Sequence, residues 1–279
     1  MTELFIKIPH YSKLSERKEI MEKEYTKLKN NNNDVTYNIE IYEDYNKEDI
    51  NNDIIKKYFD SNLREWNKRI IISEQKKTSF KRKITIGEKS LIMKSINLWK
   101  NIIDNNIDFC LIVEDDVHYV EDFTKKYLDC LKNIPDDWDI FYVNLEYIDK
   151  NEKKRNFRNK KDKLLYNSRK SIKENNSKQL EENKKLNPKK SNDYFTLITQ
   201  GPKWHAGYGY VIKNSTAKLF YDTLIRKKCA LPIDAEIGYL IQKHKLNSYF
   251  LNFNLVYHNF IVDSSLAHER YLARKGKLV

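Results

Sequence analysis

The chain has 279 residues, of which 40% are hydrophobic and 33% charged, enough apolar material for a sizeable core in one large domain or two small ones. Its net charge is +12, but Lys dominates in low-complexity runs such as KNNNND (29–34) without regular aromatic interleaving, which argues against nucleic-acid binding and fits the Asn, Lys and Ile bias of an AT-rich genome, such as that of some large DNA viruses. Three scattered cysteines, Cys110, Cys130 and Cys229, argue against a disulfide framework or a zinc site and for a soluble protein of a reducing, cytoplasmic compartment, and no apolar run reaches the roughly 18 residues of a membrane span.

LFIKI (4–8) reads as a buried first strand ended by Pro9. The opening MTELFIKIPHYSK lacks a basic segment followed by a long apolar core, so no signal peptide is expected. Leu14, Ile20, Met21, Tyr25 and Leu28 then recur at helical spacing, with Ser12 as the N-cap candidate. VTYNIEIY (35–42) alternates with period two and predicts a second strand. KEDINNDIIKKYFDSNL (47–63) reads as a second helix. This β-α-β-α opening predicts an α/β layered fold with a mostly parallel sheet.

RIIIS (69–73) is predicted as a short strand. Thr85 and Glu88 have capping-box spacing, ahead of an apolar helical face of Ile92, Ile96, Trp99 and Ile103. DFCLIVEDD (108–116) holds a uniformly apolar, parallel-type strand. EDFTKKYLDCLKNI (121–134) is an amphipathic helix, and WDIFYVNLEY (138–147) a further strand. Residues 150–193 dissolve into Lys, Asn, Glu and Ser and are expected to form a mobile insertion. Order resumes at residue 193 with a strand, a Gly-Pro turn, a Gly/aromatic strand and a helix capped near Asn214 or Ser215. LPIDAEIGYLIQKH (231–244) is a helix led by Pro232, LNSYFLNFNLVYHNF (246–260) a final strand region, and 266–279 a basic tail.

Ligands of an open α/β sheet bind beyond the carboxyl ends of its strands. Glu114, Asp115 and Asp116 fall there, after the 109–113 strand. In an extended chain Glu114 and Asp116 point to one side and Asp115 to the other. Two hard oxygen ligands on one side suit Mg²⁺ or Mn²⁺; the alternative is an acid-rich loop capping the helix that begins near Asp122. His118 either joins that side or lies on the loop surface. His205, in KWHAGYGY (203–210), sits between a Gly-Pro turn and a Gly-rich strand. Gly207 and Gly209 there either let a backbone approach a ligand closely or relieve crowding between aromatics. Asp234 reads as a helix cap or a general base, and His258 as a further group at a strand's carboxyl end.

The order of these pieces resembles glycosyltransferase family 25, the lipopolysaccharide-type and collagen galactosyltransferase family. FIKIPHYSKLSERKEIM (5–21) is similar to its opening strand and Arg-bearing helix, and ITIGEKSLIMKSINLW (84–99) to its Gly-Glu helix start, at Gly87 and Glu88. LIVEDDV (111–117) is similar to its LEDD strand end, HAGYGYVIKNSTAKLF (205–220) to its His-Ala…Tyr strand and helix. LPIDAEIGYLI (231–241) resembles its Pro-x-Asp segment and VYHNFIVDSS (256–265) its final motif. The departures are Ser90-Leu91 and Lys94-Ser95, where the family usually has Gly-Cys and Ser-His, and His258, where it often has Gln.

The resemblance implies a GT-A-type α/β/α sandwich binding a nucleotide sugar, built as one domain over 1–279. It implies a Mn²⁺- or Mg²⁺-dependent, inverting transfer of galactose or glucose from a UDP-hexose to a hydroxyl of a glycan or collagen-like protein. Asp116 would be the strongest metal ligand, with Glu114 and His258. Glu114 and Asp115, with Pro9, Arg17, His205 and Gly207, would lie near the nucleotide sugar. Asp234 would be the base, with Glu236 the second candidate. Two other readings use the same residues: a metal-dependent phosphohydrolase, and a catalytically inactive basic binding module.

Overall fold

β1 (Thr2–Pro9), α1 (Ser15–Asn30) and β2 (Val35–Tyr42) form a β-α-β unit in which the strands pair in parallel, Ile6 opposite Ile39. The computed structural model describes residues 2–30, 34–60, 62–72, 84–144, 181–185, 190–198 and 209–258. The basic tail, most of the expected insertion and the Gly-Pro turn lie outside the described residues, as do His205 and Gly207.

Past β2, Lys47–Asp49 forms only a 3₁₀ turn, and α2 is short, Asn52–Tyr58. Asn51 caps it by accepting from the N–H groups of Asp53 and Ile54 at 3.0 Å. The segment RIIIS, expected as a strand, instead ends the helix α3 (Leu63–Ile72). Three isoleucines favour a strand locally, but Glu65 and Arg69 pair at i,i+4 spacing at 3.0 Å and tertiary contacts of Arg69 outweigh propensity. Ser12 caps nothing: its Oγ accepts from the Asn46 amide at 2.9 Å, and α1 starts at Ser15.

Next come α4 (Ile86–Asp104), β3 (Phe109–Val113), β4 (Val117–Tyr119), α5 (Phe123–Asn133) and β5 (Ile140–Tyr142). The capping box expected of Thr85 and Glu88 forms, each backbone N–H bonded to the other's side chain at 3.0 and 3.2 Å. β6 (Phe195–Ile198), β7 (Gly209–Lys213), α6 (Asn214–Lys227), α7 (Ile233–His244), β8 (Ser248–Leu251) and β9 (Val256–His258) follow, after a helical stretch at 181–185 within the expected insertion. Asn214 opens α6 without capping it; its amide donates to the carbonyls of Ile102 and Ile107 at the end of α4.

The main sheet has seven strands in the order β2-β1-β3-β7-β5-β8-β6. β2, β1, β3, β5 and β8 run one way, with β7 and β6 antiparallel to their neighbours, so the sheet is mostly parallel, as the opening repeat implies. A separate two-stranded sheet pairs β4 with β9.

Strand alternation divides the apolar residues between two cores. Leu4, Ile6, Ile8, Leu111, Val113, Phe141 and Val211 pack against Met21 and Tyr25 of α1 and Phe123 and Tyr127 of α5. Cys110, Ile112, Ile140, Tyr142, Tyr210 and Ile212 pack against α4, α6 and α7. The result is an α/β/α sandwich. All three cysteines are buried free thiols, and no helix among the described residues is long and apolar enough to cross a membrane.

Candidate functional site

β3 is a run of five apolar residues buried from both faces, and its hydrogen bonding stops at Val113. The chain does not stay extended beyond it. Asp115 and Asp116 form a turn into β4, and the Arg17 guanidinium reaches both: Nη1 donates to Asp115 Oδ1 and lies 3.1 Å from Asp116 Oδ2. Asp115 and Asp116 therefore share a partner, contrary to the alternation expected of a straight strand.

Asp115 is committed inward. Its second oxygen is 2.8 Å from Nδ1 of His10, which follows β1 and is fully buried. Arg17 is itself 5% exposed. Burial works against its charge, but Asp116 and Asp115 outweigh this and hold the guanidinium more firmly protonated than usual. Glu114 is half-buried and Asp116 buried. The β4–β9 register sets the His258 backbone opposite Val117, one residue beyond Asp116. A metal residue expected from far along the chain thus has its backbone beside the acids.

The donor set can be weighed on its chemistry. No three His, Cys, Asp or Glu side chains among the described residues form a ready-made metal cluster. Mg²⁺-like cations commonly take one or two carboxylates and fill their shell with substrate phosphates and water. Glu114 and Asp116, the latter sharing Arg17, fit that pattern, whereas Asp115, held by His10 as well as Arg17, fits an internal anchor.

His118 faces away from this cluster, with Nδ1 3.5 Å from Glu24 on α1. Asp234 stands half-buried in the first turn of α7. Its charge reaches the hydroxyls of Tyr142 on β5 and Tyr210 on β7, both raised chiefly by burial and secondarily by neighbours that include Asp234. Tyr210 pairs with Ile112, two residues before Glu114.

Glu236, two residues on, belongs elsewhere. It is fully buried and accepts from Arg69 Nη1 at 2.8 Å and from the N–H groups of Ala230 and Leu231 at 2.6 and 2.9 Å. Arg69, also fully buried, donates further to the carbonyls of Lys227 and Lys228. These bonds tie α3, the 227–231 connection and α7 together. A carboxylate so engaged has a structural task, which leaves Asp234 as the base candidate.

The residues that depart from the expected pattern on α4 also have local partners. Ser90 Oγ donates to the Tyr45 carbonyl at 2.6 Å, and Ser95 Oγ to Leu91 within its own helix at 2.9 Å. Lys94, 2% exposed, donates to the Asp44 carbonyl and to Asn46 Oδ1. Burial pulls its pKa down to about 8 despite nearby acids. No sequence signal marked Lys94 as the tether of the loop after β2, because both partners lie about half a hundred residues away.

The sequence pattern of glycosyltransferase family 25 (LPS biosynthesis protein) matches residues 12–237. The chain belongs to this family. The family 25 span includes Arg17, the three acids, Asp234 and Glu236; His10 precedes it and His258 follows it. Among curated proteins, procollagen galactosyltransferase 2 of Homo sapiens is 28% identical over 81 residues, 28% of this chain and 13% of that protein. Its Mus musculus counterpart is 26% identical over 102 residues, 36% of this chain and 16% of that protein. The aligned region thus spans under a fifth of those relatives. Among solved structures, mouse xyloside xylosyltransferase 1 in its apo form aligns over 93% of this chain and 98% of that one, with a TM-score of 0.38 and 8% identity, too distant to bear on function.

Proposed function

We propose that this family 25 protein transfers a hexose, galactose or glucose, from a UDP-sugar to a hydroxyl of a glycan or collagen-like protein, with inversion and with a divalent cation, Mn²⁺ or Mg²⁺. The observation that carries the reading is the acidic turn at the end of β3, where Asp115 and Asp116 share Arg17 and the His258 backbone lies opposite Val117. The names of the curated relatives support the hexose and the protein acceptor.

Glu114 and Asp116 would hold the cation, with His258 completing its shell. When bound, the cation supplies Lewis-acid stabilisation of the departing diphosphate. His10 fixes Asp115, and Arg17 pairs with both Asp115 and Asp116, so together they hold the turn that presents Asp116. Pro9 ends β1 beside this turn, where the nucleotide would lie. Asp234 would take the proton of the attacking acceptor hydroxyl, on the side of the sugar opposite the leaving diphosphate.

The test is a thermal-shift titration followed by a donor panel. UDP with Mn²⁺ should raise the melting temperature, and Asp116→Ala should abolish the rise while leaving the ligand-free protein folded. A panel of nucleotide sugars, read as released UDP, should then single out one UDP-hexose. Absence of any shift with every UDP-sugar and metal would sink the proposal, and phosphate release from simple esters would favour a phosphohydrolase.

A further inference from the structure

Buried polar side chains almost always have a hydrogen-bond partner, and each exception calls for a reason. Asn144, the residue two beyond β5, is fully buried, yet neither its Nδ2 nor its Oδ1 has a partner among the described residues. An amide left in that state costs the protein its desolvation on both atoms with nothing in return. The backbone just before Asn144 is held on both sides. The Val143 N–H donates to the Gly209 carbonyl at 3.1 Å, and the Leu255 N–H donates to the Val143 carbonyl at 2.8 Å.

Gly209 also pairs with Val113. Asn144 therefore follows Val143 at the level where Glu114 follows Val113, with β7 between them. Adjacent strands are about 4.8 Å apart, which sets the two residues about 10 Å apart along the carboxyl edge. Val143 packs into the core against α1 and α5, so strand alternation turns Asn144 toward the opposite face. That is the face of Tyr142, where the charge of Asp234 is felt.

We propose that the Asn144 carboxamide binds hydroxyl groups of the transferred hexose. The inference rests on the donor-site reading given above. With the diphosphate at the end of β3 and the base candidate on α7, the hexose is the group that lies between them along this edge. A primary amide presents one acceptor and two donors in a fixed plane, the complement of adjacent sugar hydroxyls. A site built to hydrogen-bond a hydroxyl also rejects sugars that cannot supply it in the right place, so Asn144 would discriminate between hexose epimers.

The experiment is calorimetric titration of the parent protein, Asn144→Ala and Asn144→Ser with UDP, UDP-galactose and UDP-glucose, each with Mn²⁺, alongside ligand-free melting curves. Both variants should bind UDP within about twofold of the parent, and bind the preferred UDP-hexose about tenfold more weakly, the size expected for one or two lost hydrogen bonds. Asn144→Ala should melt at or above the parent temperature, because it removes an unpaired buried amide; Asn144→Ser keeps a polar atom in case the alanine variant fails to fold. Unchanged affinity for both UDP-hexoses, with UDP binding intact, overturns the role of Asn144 alone. An equal fall for UDP and UDP-hexose in folded variants overturns it too. A parent protein that does not bind UDP overturns the donor-site reading and this inference with it.

Discussion

Asp234 and Glu236 are two residues apart at the start of α7, and a helix turns by about 100° per residue, so the two carboxylates leave it on nearly opposite sides. One is half-buried; the other is sealed against Arg69. Burial pushes the Glu236 carboxyl up, while Arg69 and two backbone amides pull against it. Removing one partner of a buried ion pair strands the other, at a cost of about 3–5 kcal/mol. Glu236→Ala should therefore lower unfolding stability in urea by about that amount. Asp234→Asn should cost about 1 kcal/mol or less, the scale of a helix-dipole contact, and should abolish UDP-hexose turnover. Equal stability losses would contradict the division of roles. The sequence exposes both acids in LPIDAE but hides what separates them, because Arg69 lies 167 positions away in a segment that reads locally as a strand. The same holds for Asp115: the acidic turn is visible in the sequence, but its partners are 98 and 105 positions distant.

Elements were legible where their cause is local. The Thr85–Glu88 box is written within four residues, and the box forms. Thr85→Ala should cost about 1 kcal/mol, measurable as a lowered denaturation midpoint. β7 is the opposite case. It enters the sheet antiparallel between β3 and β5, a pairing that depends on long-range contacts no sequence period announces. Its first residue, Gly209, read as either a ligand approach or relief between aromatics. In the fold an added Cβ would lie 2.7 Å from Val143 Cγ2 and 3.0 Å from Val113 Cγ1. The crowding is real, but it comes from the last valine of β3 and the valine that follows β5. Gly209→Ala should destabilise by about 1–3 kcal/mol, the range for overpacking a tight core. A companion Val143→Ala change should restore part of the loss, a coupling that a double-mutant cycle would read.

At the scale of the whole molecule, the two sheets are joined through α1. Glu24 on α1 accepts from Lys27 at 2.6 Å and from the Tyr119 N–H of β4 at 3.3 Å, and sits 3.5 Å from His118. β4 in turn pairs with β9, which carries His258, so this carboxylate links the main sandwich to the strand pair beside the acids. Burial works to raise its pKa, but His118 and Lys27 prevail and hold it down to about 2, from an ordinary 4.5. The folded state thus binds fewer protons than the unfolded state between those values. The stabilisation is complete above about pH 4.5 and is lost as pH falls toward about 2. A chain of net charge +12 also gains self-repulsion as all its carboxylates protonate, so acid sensitivity alone does not identify Glu24. The difference between two proteins does. Melting temperatures of the parent and Glu24→Gln, followed from about pH 6 to about pH 3, should converge as pH falls, because the variant has already given up this carboxylate. Parallel curves would show that Glu24 does not link the two sheets electrostatically.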